Sequence, residues 1–109
     1  MALLSSGDEL LDATDTQGPP EAGRIYDANR AMLAAICRET GADVRSLPLV
    51  RDTLDAWRAA FDAAAGADLL VCSGGSSVGE QDYGTDILAE RGEVIFHGIA
   101  VKPGKPTAF

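Results

Sequence analysis

An apolar run that breaks into small residues and then enters a helix is the feature that most constrains the fold of this chain. Residues 68–72 (Asp-Leu-Leu-Val-Cys) lead into residues 73–82 (Ser-Gly-Gly-Ser-Ser-Val-Gly-Glu-Gln-Asp). In α/β proteins this pattern is typical of an anion site, because glycines let the backbone approach a ligand and the helix N-terminus presents unpaired N–H groups. Glycines also occur at strand-to-helix turns without any ligand, so the residues around this loop must show whether it is an anion site.

Strand-like and helix-like segments alternate along the whole chain. Apolar runs predict strands at residues 2–5, 44–50, 69–72 and 94–96, with a brief extended segment at 25–27. Helical spacing predicts helices at residues 29–40, from residue 52 or 53 onward, and at 82–91, with Gly41 and Gly92 ending two of them. This alternation implies parallel strands joined by right-handed crossovers, so the predicted fold class is α/β.

The helical segments also predict which side chains are buried. Asn29 is expected to cap the first helix, and the apolar spacing assigns to its buried face Met32, Leu33, Ile36 and Cys37. Asp52 or Thr53 is expected to cap the second helix, whose core stripe is Leu54, Trp57, Phe61 and Ala64. The unbroken apolar run at 69–72 predicts a strand that is covered on both faces.

Composition excludes several classes of function. The net charge is −8, from 17 acidic and 9 basic residues, and a nucleic-acid surface requires a basic footprint. The sequence contains no apolar run of about 18 residues and no signal peptide, so we expect a cytoplasmic protein without a membrane partner. Cys37 and Cys72 are predicted to be reduced core thiols, and His97 a structural residue.

Charged side chains collect where the predicted strands end. Ligands bind at the carboxyl ends of parallel strands, so residues 7–9, 50–52 and 73–75 should converge on one rim. Carboxylates beside a phosphate commonly hold Mg²⁺, and the acidic residues of this rim are Asp8, Glu9, Asp52 and Asp82. Lys102 and Lys105, in a proline-stiffened turn, would suit an oxyanion.

Simpler explanations exist for these charges. Asp52 and Asp82 each precede a predicted helix, where capping alone would account for them, and a lysine turn can simply be solvated. The chain lacks the Gly-x-x-x-x-Gly-Lys-Ser/Thr sequence of P-loop nucleotidases and the dinucleotide fingerprint after its first strand.

The first strand begins at residue 2, and residues 107–109 read as the opening of another strand. We therefore expect residues 1–109 to be one domain, truncated at both ends, of a larger multidomain protein, with uncovered edges that favour a homo-oligomer.

Four segments, taken in order, resemble one known family. They are residues 6–10 (Ser-Gly-Asp-Glu-Leu), 23–29 (Gly-Arg-Ile-Tyr-Asp-Ala-Asn), 73–83 (the glycine–serine loop through Tyr83) and 101–106 (Val-Lys-Pro-Gly-Lys-Pro). Across essentially the whole chain they resemble the molybdopterin-binding domain of the molybdopterin molybdenumtransferase (MoeA) family, which is also the C-terminal domain of gephyrin. Ser76 is a mild departure, because the family often has Val or Ile there.

The resemblance implies a three-layer α/β/α sandwich with a mostly parallel sheet. It also implies a Mg²⁺-dependent reaction in which molybdate is inserted into adenylylated molybdopterin with release of AMP. Five residues match positions associated with activity: Glu9, Asp52, Asp82, Lys102 and Lys105. Asp52 and Asp82 would hold the metal, and the substrate's phosphate would lie in the loop formed by Gly74, Gly75, Ser76 and Ser77.

Parts of the full family pattern are missing from this sequence. It has no long N-terminal region, no C-terminal β domain and no Gly-Leu-Pro-Gly-Asn-Pro segment, so we expect the chain to bind substrate without turnover on its own. Two alternatives stay open beside molybdate insertion. The first is the adenylyltransferase reaction on the same pterin, and the second is a non-catalytic pterin-binding or scaffold module.

Overall fold

The computed structural model describes residues 1–14, 18–74 and 82–109, and within them it contains five strands and three α-helices. The strands are β1 Ala2–Ser5, β2 Leu10–Leu11, β3 Ile25–Tyr26, β4 Arg45–Ser46 and β5 Leu70–Ser73. The helices are α1 Ala28–Glu39, α2 Leu54–Ala63 and α3 Tyr83–Arg91. Strands β4, β1 and β5 form a parallel sheet in that order, and β2 pairs with β3 in a second, two-stranded parallel sheet.

Strand β1 is the centre of the larger sheet and is buried along its whole length. Ala2 and Leu4 belong to the hydrophobic cluster that contains residues of α2 and α3. Successive side chains of a strand point to opposite faces, so Leu3 and Ser5 lie on the other face, where α1 contacts β1. The predicted three-layer α/β/α arrangement with a parallel sheet is confirmed.

Helix α2 matches the prediction from its apolar stripe. Its N-cap is Thr53, whose side chain accepts a hydrogen bond from the Ala56 backbone N–H. Trp57 is only 1% exposed and Ala64 is also buried, while Leu54 and Phe61 pack against the same cluster. Side chains three and four positions apart lie on one face of a helix, and that face covers the sheet.

Helix α1 differs from the prediction in its cap and in its buried face. Its N-cap is Asp27, which accepts a hydrogen bond from the Arg30 backbone N–H, so the assignment of Asn29 as the cap was wrong. Met32 and Ile36 are 55% and 51% exposed, and the buried residues of α1 are Arg30 and Ala34. Of the four residues expected on the buried face, only Leu33 and Cys37 are partly buried.

The strand predicted at residues 44–50 is interrupted. Only Arg45–Ser46 is regular strand, although an isolated bridge between Ser6 and Val50 continues the pairing beside β1. Pro48 lies between these two pieces, and proline has no N–H to donate to a sheet. Strand β2 was not predicted, because it lies in a stretch that reads as a polar connection.

Residues 94–109, here called the C-terminal arm, fold back on themselves. The strand predicted at residues 94–96 does not join the parallel sheet. Instead, His97 and Ala108 form an antiparallel bridge, and the backbones of Phe96 and Phe109 exchange hydrogen bonds of 3.0 Å. The rings of these two phenylalanines stack with centroids 6.2 Å apart. The turn that carries both lysines therefore lies between two paired segments.

Strand β5 is less covered than its sequence predicts. Leu69, just before it, is 40% exposed, and Cys72 is exposed, so neither full coverage of the strand nor a core position for Cys72 is observed. Cys37 is half-buried, and both cysteines are free thiols, as expected. Among the described helices none is long and apolar enough to cross a membrane. The expected self-association stays a prediction.

Candidate functional site

A hydrogen bond between two side chains joins the loops that follow β1 and β4. The Ser6 hydroxyl donates a 2.6 Å hydrogen bond to Asp52 Oδ1, and Ser6 itself is only 3% exposed. Asp52 and Asp8 also exchange longer backbone-to-carboxylate contacts of 3.3 and 3.4 Å. Since Thr53 is the N-cap of α2, Asp52 does not cap the helix. Its carboxylate instead fixes two loops of the predicted rim side by side.

Gly74 follows β5, and the backbone of Gly74 lies against Ser6 in the loop that follows β1. Its φ is +97°, and a Cβ atom at this position would collide with the backbone oxygen of Ser6. Both the left-handed conformation and the close approach require glycine. The first residue of the predicted phosphate loop is therefore fixed against Ser6, while Gly75, Ser76 and Ser77 lie outside the described residues.

Glu9 faces a cavity of about 320 Å³, here called the Glu9 cavity. Ser6, Ser73 and Gly74 line one part of it, and Tyr26, Asp27 and Asn29 line another. It lies where β1, β3, β5 and the start of α1 meet. Asn29 was read from the sequence as a helix cap whose amide could also reach a neighbouring loop, and the structure places it in the lining of this cavity.

Asp82 is the N-cap of α3 and has both oxygens engaged. Oδ1 accepts a hydrogen bond of 3.1 Å from the Thr85 backbone N–H, and Oδ2 accepts one of 2.9 Å from the Thr85 hydroxyl. His97 Nε2 lies 3.6 Å from the same Oδ2. A capping aspartate placed at a helix N-terminus is held in one orientation, so the carboxylate presents a fixed edge. His97, expected to be merely structural, thus lies next to a candidate catalytic residue.

A second cavity of about 180 Å³, here called the Asp82 cavity, lies beside this cap. Its lining comes from α2, β5, α3 and the C-terminal arm, and it includes Trp57, Asp82 and His97. Gly74 lines both cavities. The start of the glycine loop therefore borders both the cavity that Glu9 lines and the cavity that Asp82 lines.

The two lysines of the C-terminal arm are exposed and make no ion pair with any described residue. The backbone of Lys105 accepts hydrogen bonds from the N–H groups of Ile99 and Thr107, which fixes the base of the turn. Neither lysine lines the two cavities, but Pro106, the neighbour of Lys105, lines the Asp82 cavity. The lysine turn thus adjoins that cavity through Pro106 alone.

A buried arginine holds the two-stranded sheet in place. Arg30 of α1 donates hydrogen bonds of 2.7 Å to the Leu47 backbone oxygen and 2.6 Å to Asp12 Oδ2, and its Nε lies 3.4 Å from Asp27 Oδ2. Hydrogen bonds from Thr14, with the contact to Arg30, lower the pKa of Asp12 to about 2. This cluster was not found from the sequence, because Asp12 lies 18 positions from Arg30 in a stretch read as a polar connection and Asp27 was assigned to a brief extended segment.

The structure brings some of the predicted site residues together. Glu9, Gly74 and, through Ser6, Asp52 share the Glu9 cavity region, while Asp82 and the arm share the other cavity. Within the described ranges no group of three or more His, Cys, Asp or Glu residues forms a metal cluster. The donors that are present are carboxylate oxygens, which are the type Mg²⁺ prefers, and Mg²⁺ is often held by one or two carboxylates together with substrate phosphates.

Comparison with known proteins gives consistent matches over the whole chain. A family model described as a probable molybdopterin-binding domain matches residues 2–109. The molybdopterin molybdenumtransferases of Haemophilus influenzae and of Nostoc sp. are 41% and 37% identical to this chain over 100% and 97% of its length. A crystal structure of a molybdopterin biosynthesis MoeA protein from Pyrococcus horikosii superposes with a TM-score of 0.82 at 32% identity over 98% of the chain. The chain spans about a quarter of the length of these proteins, between 24% and 26%.

Proposed function

Because this chain belongs to the molybdopterin-binding domain family of molybdenum cofactor biosynthesis, we propose that it binds adenylylated molybdopterin and supports Mg²⁺-dependent insertion of molybdate with release of AMP. The observation that carries the proposal is the position of Gly74. Its backbone lies between two cavities, one with Glu9 and one with Asp82, at the start of a strand-to-loop-to-helix unit. A phosphate bound there would lie at the border of two cavities whose lining includes Glu9 and Asp82.

In this proposal the glycine loop binds the phosphates, and two carboxylates hold the Mg²⁺ that neutralises the phosphate charge. Asp82 and Asp52 would hold Mg²⁺, which when bound neutralises phosphate charge as AMP departs. Asp52 is oriented by the Ser6 hydroxyl, and Asp82 by Thr85, so each carboxylate is held before substrate arrives. Held groups lose little entropy on binding, which favours a defined geometry at the reacting phosphate.

The lysines are proposed to serve molybdate. Lys102 and Lys105 are exposed, and the arm that carries them also forms part of the Asp82 cavity wall. Molybdate is a compact dianion, and an ammonium group is a compact point charge that suits it. The arm would thus place the oxyanion near the phosphate end of the pterin substrate.

The test measures AMP release from adenylylated molybdopterin by the whole protein that carries this domain. Asp82→Asn keeps an oxygen that can cap α3 but removes the charge, so we expect the rate to fall about tenfold or more with stability changed by less than about 1 kcal/mol. The matched control is Asp86→Asn, an exposed position on the same helix. An unchanged rate in Asp82→Asn would reduce this residue to a cap, and ATP consumption in place of AMP release would favour the adenylyltransferase alternative.

A further inference from the structure

The C-terminal arm is held together by its own hydrogen bonds. The Gly98 N–H donates to the Thr107 backbone oxygen over 2.7 Å, and the Ile99 N–H donates to the Lys105 backbone oxygen over 3.0 Å. Together with the phenylalanine pairing described above, these bonds form a ladder that runs from the start of the arm to the lysine turn. Because paired backbones fix each other's register, the two ends of the arm move together.

Backbone hydrogen bonds and burial do little to fix the arm to the rest of the molecule. Each backbone hydrogen bond that the arm makes with a described residue has both partners inside the arm. The structure describes every residue of the arm and none of them is buried; Val94 and Ala108 are half-buried and the others are exposed. Since burial of apolar surface is the main stabilising term of packing, a polar contact between the arm and the body has a large share in placing the arm.

His97 makes such a contact from the start of the arm. Its Nε2 lies 3.6 Å from Asp82 Oδ2, which is within ion-pair distance, and the side chains of the two residues are 48% and 35% exposed. A carboxylate oxygen has two lone pairs, and the Thr85 hydroxyl uses one of those on Oδ2, so His97 faces an acceptor that has capacity left. The residue that reaches Asp82 also belongs to the ladder, because His97 forms the antiparallel bridge with Ala108.

We propose that His97 is a positioning residue, which through its contact with Asp82 fixes the place of the lysine turn relative to the Asp82 carboxylate. The proposal rests on the function proposed above, in which Asp82 acts at the phosphate and the turn with Lys102 and Lys105 receives molybdate. Two substrates held on separate parts of a protein react efficiently only when their separation is fixed, and a displacement of about 1 Å can cost about 100-fold in rate. Without the His97 contact the lysine turn stays folded but takes a range of positions.

A matched pair of variants isolates the Nε2 contact. His97→Gln keeps an amide nitrogen near the position of Nε2, whereas His97→Asn carries the same amide on a shorter side chain that reaches only the position of Nδ1. Backbone order parameters of the 109-residue chain are measured by NMR. In His97→Asn we expect those of the arm to fall from about 0.85, typical of rigid backbone, toward about 0.6, while those of α2 and α3 stay unchanged; His97→Gln should keep the values of the unmodified chain.

Hydrogen exchange shows whether the arm itself stays folded in these variants. The protection of the Gly98 and Ile99 N–H groups should be equal in the unmodified chain and both variants, because their acceptors lie within the arm. Equal order parameters in all three proteins would overturn the proposal, and so would loss of this protection in His97→Asn.

Kinetics of the whole protein that carries this domain separate positioning from a general loss of structure. We expect His97→Asn to raise the molybdate concentration for half-maximal AMP release about fivefold, as expected for the loss of a partly exposed ion pair, without weakening the binding of adenylylated molybdopterin. His97→Gln should restore the original molybdate requirement. An unchanged molybdate requirement in His97→Asn, or equal values in both variants, refutes the positioning role. The expected order parameters together with no AMP release by the unmodified whole protein refute only the proposed function.

Discussion

Replacing Arg30 by methionine removes the single cation that holds two aspartates and a backbone oxygen. The Asp27 side chain is only 2% exposed, so the loss of Arg30 leaves a buried carboxylate next to an apolar side chain. Asp12 is 42% exposed and regains water readily, so it adds little to the cost. The Leu47 backbone oxygen also loses its 2.7 Å donor from a charged group.

These contacts set the expected magnitude. Removing one partner of a buried ion pair costs about 3–5 kcal/mol. Asp27 keeps its hydrogen bond from the Arg30 backbone N–H. We therefore expect the free energy of unfolding to fall by an amount near the lower end of this range, about 3 kcal/mol. With a urea m-value of about 1.5 kcal/mol/M, the unfolding midpoint should fall by about 2 M.

Urea unfolding followed by the fluorescence of Trp57 measures this midpoint, since the indole is buried in the core. The matched control is Arg38→Met on the same helix. Arg38 is exposed, and its one side-chain hydrogen bond to a described residue is a marginal contact of 3.5 Å to Val44, so this variant should change stability by less than about 0.5 kcal/mol. A loss below about 1 kcal/mol in Arg30→Met, or equal losses in both variants, would refute the view that Arg30 compensates a buried charge.

Three further predictions concern other parts of the molecule. Gly74→Ala should destabilise the protein by about 2 kcal/mol or more, because it combines a left-handed φ with a backbone collision; an unchanged urea midpoint would contradict this. Asp12 stabilises the fold above its unfolded pKa of about 4, and this contribution should disappear as the pH falls toward about 2; Asp12→Asn should lack that part of the pH dependence, and identical midpoint-against-pH curves would argue against it. Lys102→Met should raise the molybdate concentration needed for half-maximal activity of the whole protein more than it weakens pterin binding, and the reverse order would assign the lysine to the pterin.

Features that depend on near neighbours in the chain were predicted well from the sequence. The stripe of α2, the end of α1 at Thr40 before Gly41, and the Asp82 cap of α3 all depend on residues within one or two helical turns. Local propensity and periodicity contain that information. The parallel pairing of the strands also followed from the alternation of elements.

The sequence-based predictions that were wrong, and the contacts that were missed, share a different cause. Hydropathy placed Met32 and Ile36 inside, but α1 turns Arg30 inward because Asp12 and Asp27 are there to compensate its charge. Partners that meet only in the folded chain leave no periodic signal. The same holds for Ser6 and Asp52, which are 46 positions apart, and for His97 beside Asp82.

The C-terminal arm differs in charge from the rest of the chain. Residues 1–93 contain seven basic and all 17 acidic residues, whereas the arm contains two lysines and no acid. The side chains of residues 1–93 therefore carry a net charge of −10 (7 − 17) and those of the arm +2, so an anion meets less repulsion near the arm than the net charge of the chain implies. At physiological ionic strength the screening length is about 8 Å, which confines the attraction of the two lysines to the immediate surroundings of the lysine turn. A small dianion of the kind proposed to bind at the lysine turn would meet this attraction only within that distance.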